Sequence, residues 1–470
     1  MPEPLEPHVV LLTGLSVETA FRKLRHLPEV VFLDSVRPQA PLGRYSFLAA
    51  DPFHKLQAGH GDAADQLAEL ERLLLLHATP TIPNLPPLQG GALGYFSYDL
   101  GRAFERIPPP QFDEFALPHL SIGLYDLVLA ADHLTGETWL ISQGFPETDP
   151  TSRKKHAVKR ADDFLRLLEA PELETTVDWD AGTPAKIQTP RYPCPEYAGV
   201  TSNFDRRQYL EMIARGIEYI YAGDIFQVNL AQRLLCPAQL PASDLFLKLR
   251  TDNPAPFAGY YDFGQGQIVS SSPERFLKVA GDLVETRPIK GTRRRSGWPE
   301  LDMYSADELV HSVKDRAENV MIVDLLRNDL SRFCTPESVQ VTQLCGIEHY
   351  QTVQHLVSTI EGKLNPGVGL VDILQASFPG GSITGAPKIR AMEIISELEP
   401  SARGPYCGSL GYIGFDGSID LNILIRTIIA SAGWWQFPVG GGIIADSNPQ
   451  REYEETWHKA SGMLTAILRP

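Results

Sequence analysis

Lys290 closes the run Val284-Glu-Thr-Arg-Pro-Ile-Lys290, and Gly291-Thr292 supplies a turn directly after it. On a flexible loop such an ammonium would stay solvated. At a strand end, crowded by Arg287, Arg293, Arg294 and Arg295, it would be driven toward the neutral amine that attacks carbon. The competing reading is a basic surface patch. Glu274, in Ser270-Ser-Ser-Pro-Glu274-Arg-Phe-Leu277, begins the preceding strand, and a turn through Ala280-Gly281-Asp282 makes the two strands a hairpin. That hairpin can bring Glu274 and Lys290 to the same end. A carboxyl group beside a cation suits proton delivery to a leaving hydroxyl, although a surface salt bridge would look the same.

Further carboxylates come in pairs. A helical pattern from Ala306 to Asp329 carries Asp315 and Glu318 three apart on one face, and a second, from Pro449 to Leu468, carries Glu452 and Glu455 likewise. Two helices presenting hard oxygen ligands are what Mg²⁺ needs when it also keeps waters and a substrate carboxylate; solvated helix faces are the alternative. Glycine-rich segments supply anion-binding candidates. Phe378-Pro-Gly-Gly-Ser382-Ile-Thr-Gly-Ala-Pro387 reads as a loop opening a helix, and Gly440-Gly441-Gly442 lets a backbone approach a small anion. Arg426, within the β-rich run Leu421 to Ile429, needs an anionic partner, and Tyr406 could add a hydroxyl. Together these residues imply a small substrate with more than one carboxylate, bound with a divalent cation.

The segments resemble the chorismate-utilising enzymes. The matching stretches are Gly223-Asp-Ile-Phe-Gln227-Val-Asn-Leu230, Ser272-Pro-Glu274-Arg-Phe276, Pro288-Ile-Lys290-Gly-Thr292 and Glu318-Asn-Val-Met-Ile-Val-Asp-Leu-Leu-Arg-Asn-Asp-Leu330. His355-Leu-Val-Ser358, Gly385-Ala-Pro-Lys-Ile-Arg390, Gly408-Ser-Leu-Gly-Tyr412 and Glu452-Tyr-Glu-Glu455 follow in order. In this family the enzymes that add water to chorismate carry a lysine where this chain has Gln227, and a glutamine cannot serve as a base. Anthranilate synthases usually carry alanine where this chain has Lys290. The resemblance therefore implies the branch that forms 4-amino-4-deoxychorismate on the way to 4-aminobenzoate and folate. By the same resemblance Lys290 would be the nucleophile at C2 and Glu274 the general acid for the C4 hydroxyl. Glu318 and Glu455 would bind Mg²⁺, with Asp315 and Glu452 in support. Tyr406, Arg426, Ser382, Gly440 and Gly442 would hold the substrate carboxylates. His355 matches a histidine linked to pyruvate elimination in anthranilate synthases, and a structural histidine is its rival reading. Anthranilate synthase component I and a catalytically silent regulatory subunit remain the alternatives at this stage.

The chain has 470 residues, 43% of them hydrophobic and 21% charged, the balance of a globular enzyme with ample core. Its net charge of −16 disfavours nucleic acid and anionic membrane as partners. The five cysteines (194, 236, 334, 345 and 407) show no C-x-x-C, which indicates neither zinc nor a disulfide framework. The start Met-Pro-Glu-Pro-Leu-Glu-Pro is wrong for a signal peptide, no apolar run would span a bilayer, and a cytoplasmic location is expected. No glutaminase nucleophile elbow and no lyase extension are evident, so ammonia is expected from a separate glutamine amidotransferase subunit.

A β-rich part, 8–167, precedes a Pro/Thr/Glu-rich linker, 168–200, and a catalytic part, 201–470. Strands not alternating strictly with helices favour an α+β class. The family resemblance sharpens this to two large antiparallel sheets packed as a sandwich with helices outside. Ser35 and Arg44-Tyr45-Ser46-Phe47 resemble the region that binds tryptophan as an effector in relatives; plain β packing is the alternative.

Overall fold

The computed structural model describes residues 6–35, 42–173, 186–349 and 353–469. Strand segments rich in β-branched and aromatic residues assemble into two antiparallel sheets. The first has 13 strands, running from His8–Leu12 at one edge through Glu137–Ser142, Leu127–Asp132, Tyr45–Ala49 and Val31–Asp34. It continues through Phe257–Asp262, Gln267–Ser272, Thr427–Ser431, Trp434–Ile443 and Gln227–Pro237 to Thr201–Ser202 and Tyr192–Pro193, with Gly385–Ala386 pairing with Gln227–Pro237 off this path as the thirteenth. The second has 10 strands and runs from Ile289–Arg294 through Val353–Lys363, Leu283–Arg287, Arg275–Ala280, Ile419–Asn422 and Ser409–Gly414 to Gly91–Phe96, Leu120–Tyr125 and His54–Ala58, with Gln340–His349 pairing with Val353–Lys363 off this path as the tenth. Each sheet thus takes strands from both the 8–167 and the 201–470 parts, joined where Val31–Asp34 pairs with Phe257–Asp262 and where Gly91–Phe96 pairs with Ser409–Gly414. Of the expected linker, residues 174–185 lie outside the described set, and Tyr192–Pro193 is a strand of the first sheet.

The period-two alternation of strands divides the core. In Phe257–Asp262, Tyr261 points between the sheets, where it meets Tyr95, while Tyr260 points to the outer face against Phe21 and Phe246. Helices Val17–Leu24, Ala242–Asp252 and Pro449–Leu468 cover that outer face with Phe21, Phe246 and Leu464. The expected α+β sandwich with helices outside is what the chain forms. No helix among the described residues is long and apolar enough to cross a membrane.

Two elements differ from expectation in ways that matter for the site. The pattern Ala306 to Asp329 is two helices, Pro299–His311 and Val313–Ser331, broken at Ser312. The Ser312 side chain accepts from the Asp315 N–H, so the second helix starts with its own cap just before its acidic face. Arg426 is not within a strand. It stands at the crossing between Ile419–Asn422 of the second sheet and Thr427–Ser431 of the first, with φ of 51°.

Candidate active site

The hairpin forms as expected. Arg275–Ala280 pairs antiparallel with Leu283–Arg287, turning at Gly281 (φ 62°). Its open end brings Glu274 against the next segment, where the Ile289 N–H bonds to the Glu274 carboxyl and Ser382 Oγ donates to Glu274 Oε1 at 2.8 Å. Ser382 reaches this point from the short 3-10 turn Gly381–Ile383. Burial raises the Glu274 pKa; Ser382, Lys290, the Ile289 N–H and Arg426 offset it only in part. The group therefore keeps its proton above the ordinary carboxylate range.

Lys290 lies in Ile289–Arg294, opposite Leu356 of Val353–Lys363, and the pairing slips immediately afterwards, with Thr292 opposite His355. Gly291 is the extra residue, at φ 75°, and a Cβ there would lie 2.7 Å from Leu309 Cδ1 and 3.1 Å from Asp315 Cγ. A glycine is thus required at the bulge that aims Lys290. The Lys290 charge bears on Glu274, on Glu318 and, more weakly than Lys459 and Lys314, on Glu455, so the amine is near both the acid and the helix carboxylates.

The neighbouring arginines do not crowd it as expected. Arg287 pairs with Glu348, Arg293 with Glu308 and Asp315 at 3.2 Å each, and Arg295 with Asp302 at 3.0 Å. Each arginine carries its own counter-charge. The Arg294 side chain lies outside the described ones.

Asp315 is therefore engaged by Arg293 and packs on the Gly291 bulge. Glu318 and Glu452 face each other across the two helices, and each has its pKa raised by burial, with Asp315 and Glu452 adding at Glu318 and Glu455 adding at Glu452. At Glu455 burial acts upward too, but Lys459, Lys314 and Lys290 outweigh it and lower the pKa. Two lysines that the sequence reading passed over sit among these acids. Lys459 Nζ lies 2.8 Å from Glu455 Oε1 and donates to the Gly440 carbonyl at 2.8 Å, while Lys314 Nζ lies 3.8 Å from Glu318 and 3.9 Å from Glu452. Their signal was present as a basic residue four positions from each helix glutamate. Among the described residues no group of three or more His, Cys, Asp or Glu side chains is placed to hold a metal by itself.

Arg426 retains accessible surface, yet burial is deep enough to lower its pKa, a combination expected of a group lining a cleft. Its guanidinium makes no hydrogen bond or ion pair among the described residues; only the charge of Glu274 bears on it. A desolvated guanidinium without a protein partner among the described residues, next to Glu274, has the chemistry to receive a small carboxylate.

The family model for the chorismate binding enzymes matches residues 29–465. The chain belongs to the chorismate binding enzymes. Aminodeoxychorismate synthase component 1 of Salmonella typhimurium is 39% identical, over 99% of this chain and 99% of its own length. Anthranilate synthase component 1 of Thermus thermophilus is 42% identical, over 82% of this chain and 79% of its own. The crystal structure of anthranilate synthase component I from Streptococcus pneumoniae superposes with a TM-score of 0.76 at 30% identity, covering 97% of this chain and 99% of that one.

In this chorismate binding enzyme the remaining site candidates are placed as follows: His355 lies within reach of the Arg426 charge, Gly442 lies against Gln227, and Tyr406 lies against Arg403. His355 is buried, and its pKa is pushed down to about 3 by burial, with Arg426 adding to the effect, so the ring is neutral. Tyr406 is buried against the Cys407 thiol and Arg403, with its ring centroid 5.8 Å from the guanidinium. Gly440 and Gly442 face Ala231 and Asn229 in the first sheet. A Cβ on Gly440 would lie 2.3 Å from the Leu230 carbonyl, and one on Gly442 3.0 Å from Gln227 Nε2. Gln227 is fully buried, and among the described residues neither its amide nitrogen nor its amide oxygen has a hydrogen-bond partner. The sequence marked Gln227 only as the absence of a base; its unsatisfied amide makes it a candidate binding group as well.

The five N-terminal candidates come together away from these residues. Arg44 pairs with Asp132 at 2.7 Å, the Ser46 hydroxyl donates to Asp34 at 2.6 Å and lies 2.7 Å from His133 Nε2, and the Ser35 N–H donates to Ser46 Oγ. Tyr45 stacks on Phe47, and Phe47 meets Tyr412 edge-on at 5.6 Å. Residues 36–41, between them, lie outside the described set.

Proposed function

We propose that the chain converts chorismate and ammonia to 4-amino-4-deoxychorismate. The observation that carries this reading is the position of Lys290, whose charge bears at once on Glu274 and on the Glu318/Glu455 pair. The Lys290 nitrogen adds at C2 of the ring through its lone pair, the double bond shifts, and the C4 hydroxyl leaves as water with the proton of Glu274. Ammonia then adds at C4, the double bond returns, the C2–nitrogen bond breaks to release the Lys290 amine, and the proton shed by the new C4 ammonium restores Glu274. Glu274 suits its step because burial raises its pKa above the ordinary carboxylate value. Arg426 and the orphaned amide of Gln227 would fix the substrate and hold it in reach of the lysine.

Mg²⁺ is part of the proposal. Glu318 and Glu455 would hold it, with Glu452 beside them and Asp315 supporting through Arg293. The donor set fits a hard cation: mutually destabilising carboxylates on two helices, too few for a closed cage, leave places for water and substrate oxygens. When bound, the ion would neutralise a substrate carboxylate and orient the ring.

The ammonia would come from a separate glutamine amidotransferase subunit. Burial pushes the Cys407 thiol up to about 12, a setting opposite to that of an activated nucleophile. A second reading, anthranilate synthesis, is favoured by the 42% identity to the Thermus thermophilus enzyme. Purified protein given chorismate, Mg²⁺ and ammonium separates the two. Product that yields 4-aminobenzoate only after a lyase is added supports the first reading; pyruvate with a fluorescent aromatic product, formed without lyase, supports the second. Lys290→Ala should bind chorismate yet lose product formation by about 10³-fold or more. Wild-type rates in that variant would remove the covalent route.

A further inference from the structure

Lys314 has no local reason to be where it is. It occupies the first turn of helix Val313–Ser331, where the helix dipole repels a cation, and it precedes Glu318 by four residues, the weaker order for a lysine–glutamate pair. Its side chain is 53% exposed, so it covers little apolar surface. What the position does offer is reach across two helices. Lys314 Nζ lies 3.8 Å from Glu318 and 3.9 Å from Glu452 of helix Pro449–Leu468, a glutamate that is only 6% exposed. Both contacts are longer than hydrogen bonds, and solvent is open to the ammonium. Lys459 behaves differently, being pinned by Glu455 and by the Gly440 carbonyl, both at 2.8 Å.

We propose that Lys314 is a built-in counter-ion that stands in, among Glu318, Glu452 and Glu455, for the divalent cation in the metal-free enzyme and swings out when the metal loads. The inference rests on the metal reading given above. It follows from the geometry of a loose, exposed ammonium spanning a buried carboxylate, Glu452, and a half-buried one, Glu318, that would otherwise repel one another. A metal binding here must displace the lysine, so the protein lowers its own affinity for free cation. The displaced ammonium stays at the cleft rim, where it favours arrival of an anionic substrate, so metal and substrate bind more tightly together than apart.

Mn²⁺ binding to the metal-stripped protein tests this without any turnover, read from the electron paramagnetic resonance signal of the free ion. Lys314→Met should bind Mn²⁺ about tenfold more tightly than the unaltered protein, and Lys314→Arg should stay within about twofold of it. Glu318→Gln should lose binding in either background. Equal or weaker Mn²⁺ affinity in Lys314→Met, with Glu318→Gln still abolishing binding, overturns the counter-ion while leaving the metal reading in place. Unchanged binding in Glu318→Gln removes the metal reading and the counter-ion with it. Should Lys314→Met fail to fold, Lys314→Gln replaces it; failure of both makes the lysine structural and overturns the proposal.

Discussion

Two arginines sit deep in this fold and are treated in opposite ways. Arg403 donates to Glu399 at 2.6 and 2.8 Å, to the Asn229 carbonyl at 2.7 Å and to the Ile383 carbonyl at 3.2 Å, and lies 4.6 Å over the ring of Tyr98. Burial works against its charge, yet Glu399 holds its pKa well above the usual value. Arg426 receives none of these partners; burial prevails there and its pKa falls. A cation completed by the fold is a fastener. One that the fold has desolvated and left incomplete is a binding group whose partner arrives from outside.

That contrast can be broken at both ends. The largest effect is expected from Glu274→Gln, which removes the one carboxylate bearing on Arg426 and the proposed acid together. The rate with chorismate and ammonium should fall about 10²- to 10⁴-fold. Because burial raises the Glu274 pKa, its acid form persists above the usual range, and the rate that depends on it declines as pH climbs through that raised value. A pH–rate profile of the variant should lack this decline. Next, Arg403→Met leaves Glu399 buried and unpaired, and chemical denaturation should show a loss of about 3–5 kcal/mol. Arg426→Met should leave unfolding free energy unchanged or improved while raising the KM for chorismate roughly 10- to 150-fold, the loss of one or two charge-assisted hydrogen bonds. Equal destabilisation by the two methionine variants would erase the distinction. The smallest effect belongs to Ser382→Ala, which removes the 2.8 Å bond that favours ionised Glu274. The alkaline decline should move to higher pH, with about 1 kcal/mol lost in transition-state stabilisation.

What was legible in the sequence was local. The Gly281 turn, the acidic faces of Val313–Ser331 and Pro449–Leu468, and the order of the motifs fixed which residues could meet, because hairpin and helix periodicity are short-range properties. The break at Ser312 was legible too, as a serine three residues before an aspartate, but the apolar pattern running across it suggested one continuous helix. Other features depended on partners distant in sequence. Arg287 finds Glu348, 61 residues away, and Arg233 finds Glu114, 119 residues away, so no window around a basic run could show whether it was neutralised. Arg426 was expected inside a strand because the residues on both sides are strand formers. That they belong to different sheets is a matter of long-range pairing, to which side-chain pattern is blind.

The interleaving of the sheets sets a constraint on biosynthesis. Strand Gly91–Phe96 waits for Ser409–Gly414, and Val31–Asp34 waits for Phe257–Asp262, so neither layer can close while the ribosome still holds the later segment. Domains that fold as they emerge hide their edges early. Here the early strands must stay soluble, or be sheltered by a chaperone, until translation is nearly finished.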